Sequence, residues 1–228
     1  MSPQRFGIEE IAKGFHLDGV LYRGKLKSFD FMSEPLPECT SSEHVRLAKK
    51  AGVHDYRAAS APHVYSICAA LSKNKAGKYK ALVEKARKSL CDILGSDANF
   101  ILALSQVVYS PKGLDTAVHD VGLETSWRKK AHLVGSDGHI TAAETSAREY
   151  VQALLDTNDS VKEVNAVFKW ITARDSYAYR LNEPQDSEET RVVGLGVGSN
   201  FWFILDANDI VDDDGPALGV RRAKKIIE

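Results

Sequence analysis

The chain has 228 residues, enough for one well-buried core or for two small ones that share an interface. Its 43% hydrophobic and 27% charged content excludes wholesale disorder, and a net charge of −1 supplies no global field towards nucleic acid or a membrane surface. Charge is nevertheless polarised: basic residues outnumber acidic ones over 41–100, and the reverse holds over 151–228.

In chain order, MSPQRFGIEEIAKG lacks the apolar core of a secretory leader, and no later run approaches the ~18 apolar residues of a membrane span. Residues 1–40 carry little pattern beyond a short helical signal at Ile8–Gly14 and a proline-punctuated exit at Pro35-Leu-Pro37. Thr40-Ser-Ser-Glu43 has the form of a capping box and predicts a helix ending near Gly52. A second helix is expected after Pro62, with Val64, Ile67, Cys68 and Leu71 on its apolar face. Tyr79, Leu82, Val83, Ala86, Leu90, Ile93 and Leu94 recur at helical spacing and stop at Gly95, which predicts a third.

The pattern then changes. Phe100–Tyr109 is apolar and β-branched towards its end, and it runs into the turn Ser110-Pro-Lys-Gly113, as a strand does. Ala117–Val121 and Trp127–Val134 read as further strands. Two helices return: one striped by Ala143, Ala147, Tyr150, Val151, Leu154 and Leu155, the next opened by the capping box Ser160-Val-Lys-Glu163 and striped by Val161, Val164, Phe168 and Ile171. Tyr177, Tyr179 and Leu181 alternate as in a half-buried strand, and Glu183–Thr190 is an acidic loop. Arg191–Val197 and Phe201–Ala207 flank Gly198-Ser-Asn200 as a hairpin, and Ala217–Arg222 supplies a last strand.

These elements predict an α+β fold in which a helical N-terminal half, residues 1–95, packs on a mostly antiparallel sheet formed largely by the C-terminal half. Two helices near 142–172 are inserted in that sheet-rich part, and all 228 residues form one compact domain.

Several stretches bear on chemistry. Gly135–Glu144 imitates the second half of a calcium loop: with Gly138 on the loop glycine, Asp137, Ile140, Thr141 and Glu144 are in register, but the two leading ligand positions fall on Leu133 and Gly135, which carry no side-chain oxygen. An Asp137-Gly138 turn followed by a Thr141–Glu144 capping box accounts for the same residues. Gly194, Gly196 and Gly198 precede a strand rather than a helix, so they do not make a phosphate-binding loop. Cys39, Cys68 and Cys91 lack C-x-x-C spacing, which argues against a disulfide framework or a zinc site and for a reducing compartment.

The densest cluster of hard-cation ligands is Asp206, Asn208, Asp209, Asp212, Asp213 and Asp214. Asp115, His119 and Asp120 offer an imidazole with neighbouring carboxylates. Lys78, Lys80, Lys85, Arg87 and Lys88 scatter over one broad helix face, a solvated surface or a nucleic-acid patch. Phe201, Trp202 and Phe203 cannot all face one side of a strand, so some aromatic area is left for another layer or a partner.

The functional expectation is a cytoplasmic binding or interaction module without catalytic chemistry or cofactor, engaging a protein partner or a second copy of itself, and not a membrane. The alternative is a divalent-metal-dependent hydrolase of a phosphoester or nucleic acid, with Mg or Mn on the 206–214 segment and His119, Asp115 and Asp120 as the acid–base set.

Overall fold

A computed structural model of the chain describes residues 6–52, 54–95, 100–111, 114–140, 147–210 and 212–223. The first forty residues form strands: β1 (Gly7–Ile11), β2 (Gly14–Tyr22), β3 (Lys25–Met32) and β4 (Leu36–Thr40). Next come α1 (Ser41–Lys50), β5 (Arg57–Ala58), α2 (Ala61–Lys73) and α3 (Lys80–Leu94). The central part holds β6 (Ile101–Tyr109), β7 (Asp115–His119), β8 (Trp127–Ala131), β9 (Gly138–Ile140), α4 (Arg148–Leu155) and α5 (Val161–Thr172). The chain closes with β10 (Ser176–Tyr179), β11 (Glu189–Val197), β12 (Phe203–Asp209), β13 (Asp214–Ala217) and β14 (Gly219–Arg222).

This corrects the expectation of a helical N-terminal half. The molecule is sheet-rich, 38% strand against 29% helix, and its helices are spread along the chain. One sheet has the order β1-β2-β3-β14-β5, a second the order β8-β7-β6-β11-β12-β10-β9, and β13 pairs with β4 in a ribbon. Among the described residues all pairings are antiparallel except that of β10 with β12.

A bulge explains why β2 hides its strand pattern. Its register against β3 shifts between Leu17 and Val20, so the buried set changes phase from Phe15 and Leu17 to Val20 and Tyr22. The two-residue turn Arg23-Gly24 follows, with positive φ at both residues (51° and 68°), which matches the twist of a tight hairpin.

Helix α2 lies between the two sheets, touching β2 of one and β6 of the other as well as α3, α4 and α5. Ten of its thirteen residues are buried, as expected of a helix apolar on nearly every side. Val64, Ile67, Cys68 and Leu71, at most 1% exposed, are the expected core positions. The capping boxes divide. Ser160 and Glu163 cap α5 reciprocally, whereas Thr40 accepts from the Glu43 amide while the Glu43 carboxylate turns away to Arg46. The Thr141–Glu144 box lies outside the described residues, as does part of the expected turn after Ser110.

The outer edges carry charge. Exposed Arg128 and Lys130 line β8, and exposed Glu9 and Glu10 line β1, which discourages pairing with another sheet. Among the described residues no helix is long and apolar enough to cross a membrane.

Candidate functional site

The β2–β3 turn, β3, β5, β14, the first turn of α2 and the residues after β7 converge on a cavity of about 380 Å³. Strand periodicity places its cations. Lys25, Lys27 and Phe29 are alternate residues of β3 and line the same side, and Arg222 stands opposite Phe29 in the register of β14. Arg57, from β5, pairs across β14 with Val220, two residues before Arg222. Arg23 projects from the tight turn and stacks on Trp127, its guanidinium carbon 4.0 Å from the ring centroid.

Beneath these cations is a buried polar cluster. His63, in the first turn of α2, is held between aromatic rings: Tyr22 stacks on it at 4.3 Å, and Phe29 meets it edge-on at 5.2 Å. Its Nδ1 is 2.7 Å from Ser60 Oγ, 3.4 Å from the Tyr22 hydroxyl and 3.5 Å from Asp120 Oδ1. Asp120 follows β7 in a left-handed conformation, φ 49°, which aspartate tolerates better than most residues. Its Oδ2 accepts from Thr125 at 3.0 Å and lies 3.7 Å from Arg57 Nη2, while its buried Oδ1 has no hydrogen-bond partner among the described residues.

The electrostatics follow from burial. Desolvation pushes the His63 pKa down to about 4; Asp120 opposes this, and Arg57, Arg222 and His119 reinforce it. The Tyr22 hydroxyl is held above its ordinary range, chiefly by burial and then by the charge of Asp120. Ser60, His63 and Asp120 do not form a nucleophilic triad. A triad places the serine on one ring nitrogen and the carboxylate on the other, but here both face Nδ1, and Ser60 is fully buried. Nor is the α2 N-terminus an open anion site: the amides of Ala61, His63 and Val64 are taken by Ser105 Oγ and the Ser60 carbonyl.

Of the expected acid–base set, Asp120 lines this cavity, while His119 and Asp115 are placed elsewhere. His119 is fully buried, with Nε2 3.0 Å from the Ala153 carbonyl and Nδ1 2.9 Å from Ser105 Oγ. A carbonyl only accepts, so Nε2 carries the proton and Nδ1 accepts from Ser105. Burial pushes its pKa down to about 4. The carboxylate of Asp115 accepts from the amides of Ser110, Leu133 and Val134, tying the ends of β6, β7 and β8 together.

The acidic segment is spread along β12, a turn and β13. Asp206 accepts from the Asn208 amide at 2.7 Å and Asp213 from the Ile210 amide at 2.9 Å, Asp212 and Asp214 are exposed, and the Asp209 side chain lies outside the described residues. Among the described residues, no three His, Cys, Asp or Glu side chains are grouped so as to share a metal ion. On α3, Lys85 pairs with Glu10, Arg87 with Glu84, and Lys80 and Lys88 are exposed; Lys78, just before the helix, covers the Tyr79 ring. Asp137 of the calcium-like stretch accepts from the Arg180 amide, and Gly138 enters β9. Gly194 sits at a bulge of β11.

The cationic group was not found from the sequence. Its residues come from three separated places, and the local signal is Lys-x-Lys-x-Phe in a strand whose partner pattern is broken by a bulge. Comparison with protein-family models, with curated proteins and with solved structures finds no match.

Proposed function

We propose that this chain is a binding module for a small, multiply charged anion of the phosphate-ester kind, seated in the cavity between the β2–β3 turn and Asp120. The observation that carries the reading is the lining: Arg23, Lys25, Lys27, Arg57 and Arg222, with Asp120 as the sole carboxylate among the described residues, on a chain whose net charge is −1. Among the described residues no carboxylate pairs with Lys25, Lys27 or Arg222. Like charges so gathered repel one another, and an anion relieves that repulsion. The volume, about 380 Å³, suits a small molecule.

Binding is favoured over turnover because Ser60, the serine in contact with His63, is fully buried. Self-association has less support: Phe201 and Tyr179 are exposed singly, and Arg174 covers the Phe201 ring. The test is thermal melting with pyrophosphate against NaCl of matched ionic strength. At a hundredfold excess over Kd, binding adds about 2.7 kcal/mol, which raises Tm by about 5 °C or more. Equal melting in both salts would reject the proposal.

A further inference from the structure

We infer that an anion entering this cavity makes His63 take up a proton, through the chain Arg57–Asp120–His63; the inference rests on the anion-binding reading above. The geometry is a line of three charged or titratable groups. Arg57 Nη2 stands 3.7 Å from Asp120 Oδ2, and Asp120 Oδ1 stands 3.5 Å from His63 Nδ1. The Asp120 and His63 side chains are each only 4% exposed, and Oδ1 has no donor although it is buried. A buried carboxylate oxygen without a donor is costly, and a protonated ring would set a positive charge 3.5 Å from it.

In the free protein burial prevents this first, and the cations add to it. Facing His63 are the Tyr22 ring and hydroxyl from β2, Phe29 from β3, Arg57 from β5, Arg222 from β14, Ser60 from α2, and His119 with Asp120 at the end of β7. Arg23, Lys25, Lys27 and Thr125 line the rest of the cavity around it. Burial disfavours the imidazolium, Asp120 favours it, and Arg57, Arg222 and His119 oppose it. An anion against Arg57 and Arg222 offsets their field and adds a negative charge of its own. Asp120 and the ligand then both favour the protonated ring.

The sign follows from linkage. Anion binding raises the pKa of His63 from its free value of about 4, so between the free and bound values binding consumes a proton. Affinity therefore rises as pH falls, by at most about tenfold per pH unit for one linked proton.

Sulfate is a suitable probe because it stays a dianion across this range, so that proton uptake reports on the protein. Calorimetric titration at about pH 5, just above the free His63 value of about 4, in two buffers of different ionisation enthalpy, should give heats that differ by a net uptake of up to one proton. Sulfate affinity should also be higher there than in mildly alkaline buffer. His63→Gln should bind sulfate without uptake. Because His63 is packed among aromatic rings, the wild-type comparison stands alone should that variant fail to fold. Buffer-independent heats in the wild type would overturn the inference while leaving anion binding intact, and uptake that persists in His63→Gln would overturn its assignment to this ring. No heat in any buffer would overturn the anion-binding reading, and this inference with it.

Discussion

His63 and Asp120 meet below the cationic rim, Nδ1 to Oδ1 at 3.5 Å, each side chain only 4% exposed. Such a histidine is a liability in acid. His63 and His119 both hold pKa values of about 4, against an ordinary 6.5, so between those values the unfolded chain binds more protons than the folded one. Stability is therefore full above pH 6.5 and lost as pH falls towards 4, by about 3 kcal/mol for each histidine. His16 acts in the opposite sense. Burial opposes its protonation, yet the hydrogen bond to Asp30 and the charges of Asp18 and Asp30 lift it above its ordinary value, so its contribution is lost as pH rises through that folded value. Urea midpoints measured across this range should fall on the acid side; a flat profile would contradict the burial of both rings.

Asp115 is expected to matter for stability. Its carboxylate satisfies three backbone amides, at 2.8–3.3 Å, where β6, β7 and β8 meet. Asp115→Ala leaves those donors unpaired and should cost about 3 kcal/mol or more, read as a lower urea midpoint at unchanged m-value. A loss below about 0.5 kcal/mol, the scale of an ordinary surface substitution, would show the clamp to be unimportant.

The α5 cap gives a smaller effect. Ser160 Oγ accepts from the Glu163 amide at 3.2 Å while Glu163 returns to the Ser160 amide at 2.7 Å. Ser160→Ala should destabilise by about 0.5–2 kcal/mol, and Ser160→Asp by much less, since aspartate also caps. Equal losses in the two variants would assign the effect to something other than the cap.

Magnesium or manganese should raise Tm no more than NaCl of matched ionic strength does. Asp206 and Asp213 already accept backbone amides at the two ends of the acidic segment, an arrangement that supports a turn. A divalent-specific rise of several degrees that Asp212→Asn/Asp213→Asn abolishes would restore the metal-dependent hydrolase.

What the sequence disclosed tracks how local the cause is. The α5 cap depends on neighbours a few residues apart and falls where the pattern placed it, and the β11–β12 hairpin forms with β11 starting two residues earlier, at Glu189, and β12 displaced by two residues to Phe203–Asp209, which leaves Phe201 and Trp202 in the connection. The N-terminal strands did not, because the bulge in β2 breaks the alternation of Phe15, Leu17, Val20 and Tyr22. Ile8 and Ile11 then look like a helical pair, although β1 is extended from Gly7 to Ile11. The cavity was least legible. Arg23 and Arg222 are 199 positions apart and share a lining only because β14, near the chain's end, inserts between β3 and β5. Asp120 drew notice for its neighbour His119, whose ring turns into the core and bonds Ala153.

The most direct test of the anion site is calorimetric titration of pyrophosphate into three proteins: wild type, Lys25→Gln/Lys27→Gln in the cavity, and Lys80→Gln/Lys88→Gln on α3. The two double variants remove the same charge from different places, so any difference between them reports location rather than net charge. The cavity pair should weaken binding at least about tenfold, some 1.4 kcal/mol, and the α3 pair less than about twofold. Equal weakening in both, or no saturable heat in wild type, would contradict a specific anion site between the β2–β3 turn and Asp120.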